Sequence, residues 1–333
     1  MVARVSQAVG AWHKRRMYKF LSGLALAALS VSPLAAEEAA KALTPGDIVD
    51  AAPAADWAPI APSDVIVMDL APGAGGQARR VVIQLMPAPF SQGWVANIRK
   101  LVAARWYDGI AVVRVQDNYV VQWGDPDGED PRKAKPLPGG LGIVPESDYV
   151  VPARQFPFRV QLKSNRSTDA YAKAALAVTG WPVAFGEDGA WPIHCYGMVG
   201  VGRNLSPDTG SGAELYAVIG TPPRQIDRNI ALVGRVIAGI EHLSSLPRGT
   251  GPLGFYETPA ERVPILSVRM GNEVSGLPAY EYLSTESASF AAYADKRANR
   301  KDDFYIRPAG GVDICNVPVP VRVAGGGVKR VGM

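Results

Sequence analysis

From Asp64 onward the chain alternates short apolar runs with Pro/Gly breaks. "DVIVMDL" and "RRVVIQLM", β-branched and separated by the Gly-rich "APGAGGQA", predict two hairpin-paired strands. In "SQGWVANIRKLVAARW", Trp94, Val95, Ile98, Leu101 and Val102 recur at helical spacing and Ser91 is placed to cap the first turn. Two further runs, Ile110 to Val115 and Tyr119 to Trp123, flank a polar Gln116-Asp117-Asn118 turn. Each carries one polar residue, Arg114 and Gln122, where a purely structural hairpin would carry another Val. Alternation sets Val112 and Arg114 on one face of the first strand, and Val120 and Gln122 on one face of the second.

Residues 126–193 are long and rich in Pro and Gly, bracketing one helix-like piece from Thr168 to Val178. A stretch of this length reads either as a functional lid or inserted subdomain, or as a decorated surface loop. Strands resume at "YGMVGVG", "AELYAVIG" and "IALVGRVI", the last running into a short helix, "AGIEHLSSL", and "RVPILSVRMG" closes the series. Beyond Gly271 an extension, 271–333, has its own helix from Ser284 to Arg300 and a Val-rich end. The pattern predicts a mainly β fold: a closed antiparallel barrel of eight or so strands over 63–270, capped by one early and one late helix and interrupted by the 126–193 insertion. Helices do not alternate with strands, so a parallel βαβ sheet fits poorly. Residues 37–62, rich in Ala, Pro and Asp, read as an extended arm rather than a packed element.

The front end changes the reading of charge. Lys14, Arg15, Arg16 and Lys19 precede an apolar core, Phe20 to Val31, and a small-residue exit, Pro33-Leu34-Ala35-Ala36. This is the pattern of an export signal over 1–36, and twelve apolar residues are too few to span a bilayer. The expected location is therefore periplasmic, with no stable membrane span after cleavage; the alternative is an uncleaved anchor or a frayed amphipathic tail. Of 35 Lys and Arg, five lie in 1–36, which hold no acid, so the remainder carries 30 basic residues against 31 acidic ones. That balance gives no support to nucleic-acid binding. Two cysteines, Cys195 and Cys315, rule out a disulfide scaffold and any Cys-rich zinc site. In an oxidising compartment they form one disulfide or remain as two buried thiols.

Catalytic constellations are few. His194 and His242 are the histidines beyond the leader, and no Gly-x-Ser-x-Gly elbow presents a serine to them, which argues against a hydrolase. "GVGRN" at Gly200 to Asn204 lacks the third glycine and following helix of a nucleotide turn, and a tight strand end explains it better.

The hairpin leads further. "RRVVIQLMPAPFSQGWVANIRKLVAARWYDGIAVVRVQDNYVVQWGDP" resembles the amino-terminal half of a cyclophilin: strand, Pro-containing turn, helix ending in Tyr-Asp-Gly, then strand, Arg, turn, Gln-x-Gly-Asp. "YGMVGVGR", "GSGAELYAVIG" and "QIDRNIALVGRVIAGIEHL" resemble, in order, the family's later strands. The resemblance implies an eight-stranded barrel that isomerises X-Pro bonds, binds proline-containing peptides or unfolded exported proteins, and needs no metal or cofactor. Arg114 matches the catalytic arginine and Gln122 the glutamine that orients it, with Tyr119 and Val120 in the proline pocket. Val201, Glu214, Tyr216, Gln225, Ile226 and Ile230 fall at the remaining pocket positions. Several depart from the family's residues: Glu214 stands for Gln, Tyr216 for Phe, Gln225 for Trp and Ile230 for His. The sequence thus carries a prolyl isomerase reading and, beside it, a weakly active or inactive peptide-binding or chaperone module of the cell envelope. An envelope structural protein that kept the fold is a more distant third.

Overall fold

The structure, a computed structural model, describes residues 42–155, 169–302 and 304–325. The predicted leader, 1–36, lies outside them. In chain order the elements are α1 (Pro45–Asp50), β1 (Trp57–Ile60), β2 (Val65–Leu70), β3 (Arg79–Leu85), α2 (Gln92–Ala103), β4 (Ala111–Val115) and β5 (Val120–Gly124). Next come β6 (Ala174–Val178), β7 (Trp181–Phe185), β8 (Ala190–Pro192), β9 (Met198–Val201), β10 (Leu215–Val218), β11 (Leu232–Ala238) and α3 (Glu241–Ser244). The series ends with β12 (Val263–Met270), β13 (Tyr280–Leu283), α4 (Ala288–Ala298) and β14 (Val321–Val323).

Eight strands close into an antiparallel barrel in the order β10-β5-β4-β12-β2-β3-β11-β9. Its core is filled by Met68, Ile83, Val112, Val115, Val121, Trp123, Val201, Leu215 and their neighbours, all buried. Each large apolar side chain so placed contributes about 1.5–3 kcal/mol. Helix α2 buries Trp94, Ile98, Leu101 and Val102 against this core. Ser91 precedes α2 at a φ of 55° and makes no capping bond. Instead the Gln92 amide donates to the carbonyls of Met86 and Phe90, at 3.1 and 2.7 Å. The predicted late helix shrinks to the single turn of α3.

Two expectations fail for tertiary reasons. The helix-like 168–178 piece forms no helix among its described residues: Ala174–Val178 is strand β6, paired residue for residue with β7. A ready partner strand outweighs the helix preference of its alanines. With β8, these strands form a small sheet inside the insertion. The described part of the arm, 42–62, carries packed elements. Thr44 and Asp47 form a capping box around Pro45 that starts α1, and β1 joins β13 and β14 in a third sheet. Trp57 lies under Arg322, 3.8 Å from ring centroid to guanidinium carbon, and shares a small core with Val49, Leu283, Phe290 and Tyr293. The 271–325 segment therefore packs with residues 45–60, and a Cys195–Cys315 disulfide, Cα atoms 5.1 Å apart, ties it to the start of β9. No helix among the described residues is long and apolar enough to cross a membrane.

Candidate active site

The β4–β5 hairpin is tight: Asn118 takes a φ of 50°, a conformation Asn tolerates better than most residues, and its side chain accepts from the Thr221 amide at 2.9 Å. The strands pair Val112 with Trp123 and Arg114 with Gln122, so Val113 is the extra residue of a β-bulge. The bulge overturns simple alternation. Val112 and Val115 point into the barrel, and Arg114 is turned to the outer face, opposite Gln122.

The outer face is built in three rows across β4, β5, β10 and β9. One row sets Glu214 between Gly124 and Gly202: a Cβ on Gly202 would lie 2.5 Å from the Glu214 carboxylate, and one on Gly124 would lie 3.1 Å from its Cγ. The middle row runs Arg114, Gln122, Tyr216, Gly200, and a Cβ on Gly200 would fall 2.3 Å from the Tyr216 ring. The third holds Val120 beside Val218. The "GVG" and "WG" glycines are thus spaces for the bulky residues of the next strand, which explains the stretch better than a nucleotide turn.

Arg114 is anchored on three sides. Its Nε donates to the Leu253 carbonyl at 2.8 Å, Nη1 to Gln122 Oε1 at 2.9 Å, and Nη2 to Gln116 Oε1. The rings of Tyr119 and Phe255 lie 5.7 and 5.1 Å from the guanidinium carbon. Among the described residues, three of the five guanidinium N–H groups are engaged and two remain, one on each terminal nitrogen. Gln122, 8% exposed, passes the chain on by donating from Nε2 to Glu214. A guanidinium only donates, so Gln122 must turn its oxygen toward Arg114 and its NH2 toward Glu214. Burial pushes the Arg114 pKa down, against the pull of Tyr119 and Glu214. Burial likewise raises Glu214 above the ordinary carboxylate range, more than the Gln122 bond lowers it.

Beside these polar groups lies an apolar cluster. Val120, Tyr216 and Val218 form its base, with Tyr119, Ile226 and Ile230 half-buried around them. Burial pushes the Tyr216 hydroxyl well above its ordinary pKa. Five of the expected pocket residues therefore come together: Tyr119, Val120, Tyr216, Ile226 and Ile230. Glu214 stands in the neighbouring row instead, bonded to Gln122. Val201 belongs to neither, because it pairs with Leu215 on the inward face and is wholly buried in the barrel core. Gln225 sits exposed on the Arg224–Ile226 turn, outside the cluster.

Other contributors carried no local signal. The 249–256 segment flanks β4, the Gly249 amide donating to the Val115 carbonyl at 3.0 Å and the Tyr256 amide to Val113 at 2.8 Å, and this brings Leu253 and Phe255 to Arg114. His194 is fully buried under the cluster, its Nε2 2.8 Å from the Tyr216 hydroxyl. The sequence placed it only as an unfulfilled triad candidate.

A family model described as "Cyclophilin type peptidyl-prolyl cis-trans isomerase/CLD" matches residues 77–270. Among solved structures, the chain is similar to the cyclophilin AquaCyp293 from Hirschia baltica at 21% identity, covering 85% of this chain and 98% of that one with a TM-score of 0.59. A cyclophilin type peptidyl-prolyl cis-trans isomerase from Cryptosporidium parvum matches at 13% identity over 62% of this chain and 96% of that one, TM-score 0.36. No curated protein matches the chain. The family match covers more than half of the sequence and takes in seven of the eight strands of the closed barrel, all but β2, so the chain belongs to the cyclophilin type peptidyl-prolyl cis-trans isomerase family.

Proposed function

We propose that this cyclophilin is an active prolyl cis/trans isomerase of exported proteins and that Arg114 supplies its transition-state stabilisation. Rotation about an X-Pro bond faces a barrier of ~18–20 kcal/mol because it breaks amide resonance. The task needs a fixed donor for the twisted, single-bond-like state and an apolar surface to hold the proline ring. The observation that carries the reading is the anchoring of Arg114 by Leu253, Gln122 and Gln116, which leaves two N–H groups free beside the Tyr119, Val120, Tyr216, Ile226 and Ile230 cluster. A donor preorganised in this way is worth about a hundred- to a thousand-fold in rate. Export rests on the basic and apolar pattern of residues 1–36, and proline isomerisation is a slow step in the folding of such clients.

Glu214 favours the second reading, a binding module with little turnover. A carboxylate linked to Arg114 through Gln122 draws on the charge that a substrate carbonyl would use. One assay pair separates the two. The protein is expected to accelerate isomerisation of a short X-Pro peptide, with Arg114→Ala removing at least about ten-fold of kcat/KM. Wild-type and variant rates that coincide, with both proteins still binding the peptide, would leave the binding module standing. The mass of the exported protein tests the leader: loss of the first 36 or so residues is expected, and an intact amino terminus overturns it.

A further inference from the structure

Beneath the apolar cluster an unbroken line of polar side chains runs inward from Tyr216. Its hydroxyl lies 2.8 Å from His194 Nε2, and the two ring planes are 11° apart. His194 Nδ1 lies 2.7 Å from Asp227 Oδ1, which also accepts from the His194 backbone amide at 3.1 Å. Asp227 Oδ2 accepts from Arg224 Nε at 2.6 Å, and the other two Arg224 nitrogens meet both oxygens of Asp169 at 2.9 and 3.0 Å. The Tyr171 ring covers Arg224, 5.0 Å from its guanidinium carbon. Side chains of this line are almost wholly shielded: 4% of Asp169, 6% of Arg224 and 3% of Asp227 is exposed, and none of the His194 residue is.

So many buried polar groups persist only because each is satisfied by the next. The result is directional. Asp227 is itself held by Arg224, and it holds the His194 ring through Nδ1, which aims Nε2 at the Tyr216 hydroxyl. Tyr216 is then gripped at its Cα by β10 and at its hydroxyl by His194, while Gly200 lets the ring lie flat on the sheet. A phenylalanine here would be gripped at one end only. Asp169 and Tyr171 come from the insertion, and His194 follows directly on β8, its last strand.

We propose that His194 is a positioning residue: through the Tyr216 hydroxyl it sets the plane of the ring against which a substrate proline packs, and the line to Asp169 makes the insertion part of that pocket. The inference rests on the peptide pocket proposed above, but it requires binding of a proline peptide rather than turnover.

The test uses the full-length protein, a short X-Pro peptide, and the variants His194→Ala, His194→Gln and Tyr216→Phe. His194→Ala is expected to raise KM and the peptide Kd about five- to ten-fold while kcat stays within about two-fold, since Arg114 is untouched. His194→Gln keeps an acceptor for the tyrosine and a donor for Asp227, and is expected to recover most of the loss. Adding Tyr216→Phe to His194→Ala is expected to cost nothing more, because both break the same contact. An unchanged Kd in folded His194→Ala overturns the proposal. So does a fall in kcat at constant KM that tracks the folded fraction seen by circular dichroism, or full additivity of the two substitutions. The isomerase reading fails separately: a wild-type protein that binds the peptide without accelerating its isomerisation defeats that reading, while the Kd comparison still decides the role of His194. In ring-13C tyrosine NMR, with Tyr216 assigned by its loss in Tyr216→Phe, the two ring edges are expected to stay distinct in wild type and to average in His194→Ala. Edges that average equally in both proteins overturn the proposal even where no peptide binds.

Discussion

The two halves of the candidate site are built on opposite plans. On the β4–β5 side, Arg114 is half-buried and Gln122 buried; both come from one hairpin and are aligned by a bulge and by the 249–256 segment alongside. On the β10 side, Tyr216 is closed in, and its support arrives from the insertion and the Arg224–Ile226 turn through buried ion pairs. The first half is held by hydrogen bonds around one half-buried guanidinium, so damage there falls mainly on the chemistry. The second couples pocket shape to folding. That difference is expected to show as a split between rate and stability when each half is damaged.

The largest effect is expected from Arg224→Leu, which leaves the buried carboxylates of Asp169 and Asp227 without their cation. Burial works to lower the Arg224 pKa, yet its two carboxylate partners hold it above the ordinary value. Its removal is expected to cost about 3–5 kcal/mol in denaturant unfolding. A cost under about 1 kcal/mol would mean that the buried line contributes little to the fold and would erase the contrast between the halves.

Next in size is Gly200→Ala, whose added methyl would fall 2.3 Å from the Tyr216 ring. Overpacking of this kind costs about 1–3 kcal/mol, and the displaced ring is expected to weaken peptide binding while kcat is nearly kept. If the peptide Kd does not move, the Tyr216 ring is not the proline surface.

The smallest effect is expected from Glu214→Gln. Burial raises the Glu214 pKa, so between the ordinary value and the raised one the folded protein holds a proton that the unfolded chain has already released. The stability contributed by neutral Glu214 is complete below the ordinary value near 4.5 and is lost as pH rises through the raised folded-state value. Glutamine stays neutral, so the variant is expected to lose this slope, and its rate at pH 7 is expected to change by less than about three-fold. Stability and rate profiles with the same pH dependence in both proteins would show that Glu214 does not tune the Arg114 side.

Much of the Arg114 half was legible from residues alone. The Gln116-Asp117-Asn118 turn puts Arg114 and Gln122 within reach of each other wherever the hairpin forms, since cross-strand neighbours follow from a short turn. Which way Arg114 points was not legible, because a one-residue bulge reverses the face and leaves no mark in the composition. Val201 was misplaced for a related reason: motif order gives its neighbours but not its face, and pairing with Leu215 turns it inward. The 37–62 segment looked like a linker from its Pro and Ala content. Its capping box and its strand partner β13 lie at opposite ends of the chain's folding problem, one local and one remote.

The amino-acid sequence by itself determined the short strands, the early helix, the Arg114–Gln122 hairpin and the family. All of these depend on periodicity and on neighbours a few residues apart. Tertiary structure alone decided the outward turn of Arg114, the arrival of Leu253 and Phe255 beside it, and the burial of His194 against Tyr216. Those contacts join segments far apart in the chain, and they exist only once barrel closure and the packing of the insertion have fixed which faces meet.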